Sequence, residues 1–284
     1  MKKNKIQEIL GFNILRLCTG FVLLFLIIIF WDIATKGIGS VNWEFLTAAP
    51  SKGMTEGGIF PAIVGTFLVT VITAVLAIPL GMACAIYLNE YAKDGTLIRL
   101  IRMSIRNLSG VPSIVYGLFG VVLFVQLIKI DTSILAAGLT LGLMTLPWTI
   151  TASEEALKSV PKSYREGSLA LGATKWQTIR TNVLPYSIPG MLTGTILGLA
   201  RAAGETAPIL FTGAAFFLPF LPKSLSDQFM ALPYHLYIMS TQHHDIARVR
   251  PLAYGTALVL VSLVFCMNFI AIVLRYKLRK VRLE

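Results

Sequence analysis

Charge is what this sequence has least of. Asp, Glu, Lys and Arg together make up 14% of its 284 residues, against about 25% in an average soluble domain. Hydrophobic residues reach 55% and the mean hydropathy is +0.73. Such a composition cannot cover a surface that faces water on all sides, so a soluble globular protein is excluded and an integral membrane protein is expected. Cysteine and histidine are also scarce, three of each. Cys18, Cys84 and Cys266 lie inside apolar stretches, far apart and without C-x-x-C spacing, and read as small buried hydrophobes. Gln242-His243-His244-Asp245 has no third ligand in register, so no metal site follows. The dipeptide Gly-Lys occurs nowhere, which removes the phosphate-cradling loop G-x-x-x-x-G-K-[ST] and assigns any ATP hydrolysis to another polypeptide. Ser159-Val160-Pro161-Lys162 matches S-x-x-K by spelling alone, beside a helix end.

What the sequence does hold is long apolar stretches poor in charge. Six read as spans, at about 12–35, 60–88, 108–129, 133–152, 188–212 and 251–274, since a crossing helix needs ~20 apolar residues. Helices are expected throughout, because an unpaired backbone amide is costly in lipid and no barrel-like alternation is present. The first span follows MKKNK but no A-x-A closes it, so it reads as an uncleaved helix rather than a signal peptide. With the N-terminus inside, eighteen Lys and Arg fall on the inner side, counting Arg16 at the inner end of the first span, six on the outer, and Arg201 alone lies deep in a span. That bias places both termini in the cytoplasm and makes the net charge of +11 a topology signal rather than a nucleic-acid surface. The chain therefore reads as one all-α transmembrane domain, 1–284, with a cytoplasmic loop at 153–187. The outer segment 213–250, with Pro219, Pro222 and Pro233, fits a surface-lying or partly re-entrant piece.

Gly190, Gly194 and Gly198 repeat at four-residue spacing, with Ala202 continuing the face, and Gly138 and Gly142 form another such pair. Small faces of this kind let helices approach closely. The cytoplasmic loop has signals of folded structure. Ser163 with Glu166 matches a capping box that would start a helix at Tyr164, Gly172 suits the left-handed residue that ends it, and Thr174 with Gln177 opens a second helix that Pro185 should close. The expected product is helix, glycine turn, helix, the first helix too short to persist alone. Glu154 and Glu155 read as structural, at the start of an inner helix turn where negative charge suits the dipole.

The stretch Leu-Ala-Arg-Ala-Ala-Gly-Glu-Thr-Ala-Pro at 199–208 places Arg201 and Glu205 four residues apart in an apolar span. An intramembrane arginine costs ~3 kcal/mol or more and marks a substrate route by default. A helix would carry Glu205 one turn beyond Arg201 and let it partly neutralise the guanidinium.

These patterns resemble a known family. Glu166-Gly167-Ser168, three residues, Gly172, and then Leu184-Pro185 is similar to the EAA motif of the membrane subunits of type I ABC importers. Gly167 and Ser168 stand where that pattern has two alanines, and Asn182 stands where it has isoleucine. Ala200 to Gly213 narrows the resemblance to the phosphate-specific permease branch. The resemblance implies a six-helix importer permease fold. It implies a coupling helix of Tyr164, Arg165, Glu166, Gly167, Ser168, Leu169, Ala170, Leu171 and Gly172 seated on an ATPase, and a substrate pathway through Arg201 and Glu205. It also implies a sister permease subunit, two ATP-binding subunits carrying ATP and Mg, an extracytoplasmic phosphate-binding protein, and no cofactor on this chain. Other readings are a permease for sulfate or molybdate, a self-sufficient carrier, and a membrane-embedded enzyme. The carrier lacks a mirrored second Arg-Glu pair, and the enzyme lacks polar groups at the ends of several spans.

Overall fold

The computed structural model describes residues 2–93 and 95–280, with side chains described for 8, 10–93 and 95–277. The last residues of the basic tail, 281–284, lie outside the described residues. The elements in order are α1 (Lys2–Gly37), a short 3-10 turn (Ile38–Ser40), α2 (Trp43–Thr47), and the small antiparallel pair β1 (Pro50–Ser51) and β2 (Glu56–Gly57). α3 (Phe60–Ile86) follows and continues into a π-helical turn at Tyr87–Tyr91. Next come α4 (Thr96–Leu108), α5 (Ser113–Gly120) with a π-helical continuation at Val121–Leu127, α6 (Ile134–Lys158) and α7 (Lys162–Ala170). α8 (Lys175–Thr178), a π-helical segment (Ile179–Val183) and α9 (Leu184–Ala202) join end to end, before α10 (Ala207–Thr212), α11 (Leu232–Thr241) and α12 (Ile246–Lys280). Among the described residues five helical stretches are long and apolar enough to cross a membrane. The α4–α5 pair, bent by 102°, makes a sixth crossing if counted as one.

α6 is the central helix, packed between α3 and α9. Small residues make the approach possible. A Cβ on Gly138 would lie 2.5 Å from Ile72, and one on Gly142 would lie 2.4 Å from Leu76, both on α3. On the other flank Gly190, Gly194 and Gly198 of α9 face Ala156, Ala152 and Trp148 of α6, where added Cβ atoms would come within 3.0, 2.5 and 2.5 Å. The register of these contacts makes α3 parallel and α9 antiparallel to α6. Backbones this close replace the hydrophobic drive that lipid does not supply between helices. The Trp148 indole donates to the Gly194 carbonyl at 3.1 Å across the contact. α1 packs mainly on α12, through Phe30 against Phe265 and Gly37 against the Tyr254 carbonyl, and leaves its long apolar run exposed.

Proline marks where helices begin. It falls in or just before the first turn of α3, α5, α7, α9, α10 and α11, where its missing N–H removes no helical bond and its fixed φ suits the helix. This corrects two expectations. The box at Ser163 and Glu166 does not form, because Pro161, at φ −56 and ψ 141, starts α7 two residues before Tyr164. Pro185 does not close the second helix. The π-helical segment ahead of it shifts the hydrogen-bond register, and the helix runs on through 175–202. Thr174 accepts from the Gln177 N–H and its own N–H donates to the Gln177 side chain, a complete capping box. Gly172 stands at φ +85, the left-handed turn before it.

Further differences concern the spans and the segments between them. The fifth, read as unbroken over 188–212, stops at Ala202 and resumes at Ala207. The third, read as straight over 108–129, is the second half of a corner whose first half is the amphipathic α4. The loop at 153–187 shrinks to the turns around α7, since α6 and the 175–202 helix extend into it. The outer segment is exposed around 219–226 and partly re-entrant beyond it. Its stretch Phe229, Met230, Ala231 and Leu232 is buried against α3, where the Leu232 N–H donates to Thr66 Oγ1 at 2.8 Å.

Candidate functional site

The two breaks in the bundle meet. The α4–α5 corner at Ser109, Gly110, Val111 and Pro112 faces the end of α9 across a cavity of about 280 Å³. α6 closes it with Met144, Thr145 and Trp148, near the middle of that helix, and the last turn of α9 adds Gly198 and Arg201. Glu205 completes it from the break between α9 and α10. The corner follows from its sequence: Gly110 removes side-chain support and Pro112 removes a donor, so the helix stops and a new one opens at Ser113. The Tyr116 hydroxyl donates to the Leu108 carbonyl at 3.0 Å and ties the two arms together.

Arg201 Nε lies 3.8 Å from Glu205 Oε1, an ion pair too long to count as a hydrogen bond. Glu205 sits outside the helix, so the expected helical placement of Glu205 one turn beyond Arg201 is replaced by a carboxylate folded back from a turn. Arg201 is 67% exposed at its side chain against 18% for Glu205. Among the described residues its guanidinium makes no hydrogen bond, so its donors face open space. The first turn of α5 brings Ser113 to the same cavity, at the positive dipole end of a helix start, where the Val115 N–H is already taken by the Pro112 carbonyl at 3.0 Å. Cation, carboxylate and helix start together make a polar pocket suited to a small anion.

The opposite feature appears at the α7 end. Arg165 turns inward, donating from Nη2 to Glu90 Oε1 at 2.7 Å and from Nε to Glu90 Oε2 at 3.2 Å. It also donates to the carbonyls of Val160 at 2.9 Å and Leu157 at 3.0 Å. Glu90 is 6% exposed at its side chain and accepts a further bond from Asn89 Nδ2 at 2.7 Å. Arg102 does similar work for α4, donating to Glu154 Oε1 at 3.2 Å and to the Leu88 carbonyl at 2.6 Å. Glu154 therefore sits in the last turns of α6, not at a helix start, and Arg102 and Lys158 offset the unfavourable dipole there.

The rest of α7 points elsewhere. Tyr164 packs on the Tyr186 ring with centroids 5.5 Å apart, and Ser168 shares a hydrogen bond with Thr178 at 3.0 Å. Glu166, Gly167, Leu169, Ala170, Leu171 and Gly172 are exposed, Leu171 by 91%. The corner and the partners Glu90, Arg102 and Glu154 join the candidate site only through the fold. The Ser-Gly-Val-Pro-Ser string inside an apolar run signals the corner, whereas the ion pairs join residues 52 and 75 positions apart and leave no local trace.

The model of the family described as binding-protein-dependent transport system inner membrane component matches residues 77–280. A probable ABC transporter permease protein, YqgI, of Bacillus subtilis (strain 168) is 36% identical over 208 residues, 73% of this chain and 71% of that one. The phosphate transport system permease protein PstA 1 of Mycobacterium tuberculosis (strain CDC 1551 / Oshkosh) is 34% identical over 267 residues, 91% of this chain and 86% of that one. A chain of the MetNI methionine ABC transporter, solved in inward-facing form, superposes with a TM-score of 0.62 at 18% identity, over 80% of this chain and 99% of that one. At that identity the likeness is one of fold.

Proposed function

The chain belongs to the family of binding-protein-dependent transport system inner membrane components, and on that premise we propose that it forms one membrane half of an ATP-driven phosphate importer. Members of this family are transport subunits and not themselves enzymes. The observation that carries the reading is the cavity where a mid-span guanidinium meets two interrupted helices. A cation in lipid is retained where it faces a cavity or a partner, and a guanidinium fork offers paired, charge-assisted hydrogen bonds to a tetrahedral oxyanion. Binding in a conduit must be weak enough to release. Glu205 competes for Arg201 and lowers its hold, and the open turn of α5 offers the anion a second, neutral donor set.

In the proposed assembly this chain pairs with a PstC-like sister permease, two PstB-like subunits that bind ATP and Mg, and a PstS-like extracytoplasmic phosphate-binding protein. It binds no cofactor of its own. The exposed face of α7, with Glu166, Gly167, Leu169, Ala170, Leu171 and the Gly172 turn, seats on the ATPase, while Arg165 holds α7 to the membrane body. The Lys and Arg distribution orients both termini to the cytoplasm of a bacterial inner membrane.

Proteoliposomes of the whole complex test this, with ATP enclosed and phosphate-loaded binding protein outside. Wild type accumulates radiolabelled phosphate only when ATP is present, and Arg201→Gln loses uptake while the complex still assembles. Normal uptake by that variant removes the anion contact, and equal uptake of sulfate or molybdate moves the cargo to another oxyanion.

A further inference from the structure

A second cavity, of about 540 Å³, opens between the last turns of α1, α11 and the first turns of α12, at the end of the bundle opposite α7. Its walls include Ile33, Leu236, Met239, Ala253 and Ala257, and its polar lining includes Arg250 and Tyr254. The volume falls in the range of ~300–1,000 Å³ usual for small-ligand sites. Arg250 and Tyr254 stand one turn apart on α12. The Lys36 ammonium lies 5.2 Å from the Tyr254 ring centroid and is paired with Asp32 at 2.5 Å. Arg250 is exposed and its side chain makes no ion pair or hydrogen bond among the described residues.

The level of this cavity along the bundle follows from its neighbours. The apolar run of α12 starts just past Pro251, that of α1 ends near Thr35, and Trp31 near the end of α1 and Trp43 at the start of α2 are both largely exposed. Exposed tryptophans bracket the boundary between hydrocarbon and headgroups. The cleft thus has hydrocarbon walls reaching into the bilayer and an unsatisfied cation at headgroup depth. Arg250 and Lys36 against Asp32 leave one positive charge, which attracts a phosphate diester and repels the ammonium of a zwitterionic headgroup.

We propose that this cleft is a binding site for one anionic phospholipid, its acyl chain along Ile33, Met239 and Ala257 and its phosphate diester on Arg250. The apolar walls offer nothing to free phosphate, and the site is separate from the Arg201 cavity.

Native mass spectrometry of the chain purified with its partner subunits tests this, with phosphatidylglycerol or phosphatidylcholine of equal chain length titrated in. Wild type should retain phosphatidylglycerol roughly tenfold better than phosphatidylcholine. Arg250→Gln should lose that preference without changing the melting temperature or assembly, and Ala257→Phe, which fills the cleft, should lose both lipids. Equal retention of the two lipids by wild type, or phosphatidylglycerol binding untouched by Arg250→Gln, overturns the proposal whatever becomes of the bulkier variant. So does displacement of the lipid by millimolar inorganic phosphate, or a cross-link from Ala257→Cys to a neighbouring subunit.

Discussion

Two arginines of this chain are used in opposite ways. Arg165 spends its donors on a buried carboxylate and two carbonyls, whereas Arg201 keeps its donors facing a cavity, which separates a structural cation from one available to a ligand. Glycines divide in the same manner. A Cβ at Gly194 would lie 2.5 Å from that of Ala152, while one at Gly167 meets nothing within 4 Å. Gly194→Leu should therefore cost about 1–3 kcal/mol through overpacking, and Gly167→Ala should be neutral or stabilising by up to about 1 kcal/mol through helix propensity; thermal melts of the two purified variants check the contrast. His235 gives a pH signature. Burial pushes its imidazole down to about 4 and leaves Nδ1 without a partner, so the folded state resists a proton that the unfolded chain accepts below about 6.5. Stability is full above that pH and falls as pH drops from about 6.5 to 4, by about 3 kcal/mol at most. Melting curves across that window should show the slope for wild type and lose it for His235→Asn.

Among the elements, α7 is held by the Arg165–Glu90 pair to the end of α3 and by its carbonyl bonds to the end of α6. Removing one partner of a buried pair costs about 3 kcal/mol or more because the other charge is left uncompensated. Glu90→Arg and Arg165→Glu should each lower the melting temperature and reduce ATP-driven uptake, and the double exchange should recover both in part. If the exchange restores stability but not uptake, the pair does more than fasten two helices. Much of this level was legible in the sequence. Six apolar stretches, the glycine faces of α6 and α9, the Thr174 box and the Gly172 turn are local patterns, and local patterns survive folding. The helix breaks were not legible from apolarity, because an apolar run reads the same whether its helix is continuous or interrupted at Ala203 and Gly204. Pro185 misled for the same reason: a π-helical segment absorbs a proline, and nothing in composition announces one. The partners of Arg165 and Arg102 are tertiary facts.

For the molecule as a whole, orientation is the property on which every sided statement rests. In a background with Cys18, Cys84 and Cys266 replaced, Leu171→Cys should react with an impermeant maleimide only from the cytoplasmic face, and Lys129→Cys only from the opposite one. The reverse pattern would invert the assignment of inner and outer segments.

The run from Lys175 to Ala202 is one helical piece, beginning beside the short helix α7 and finishing at the Arg201 guanidinium. Its 28 residues make a rod ~42 Å long at 1.5 Å per residue. Rocked by ten degrees about one end, a stiff beam of that length would sweep its tip through about 7 Å. Under the proposed seating of α7 on an ATPase, nucleotide-driven nudges too slight to reshape the bundle would be magnified, by leverage alone, into a wide stroke at the end that carries Arg201.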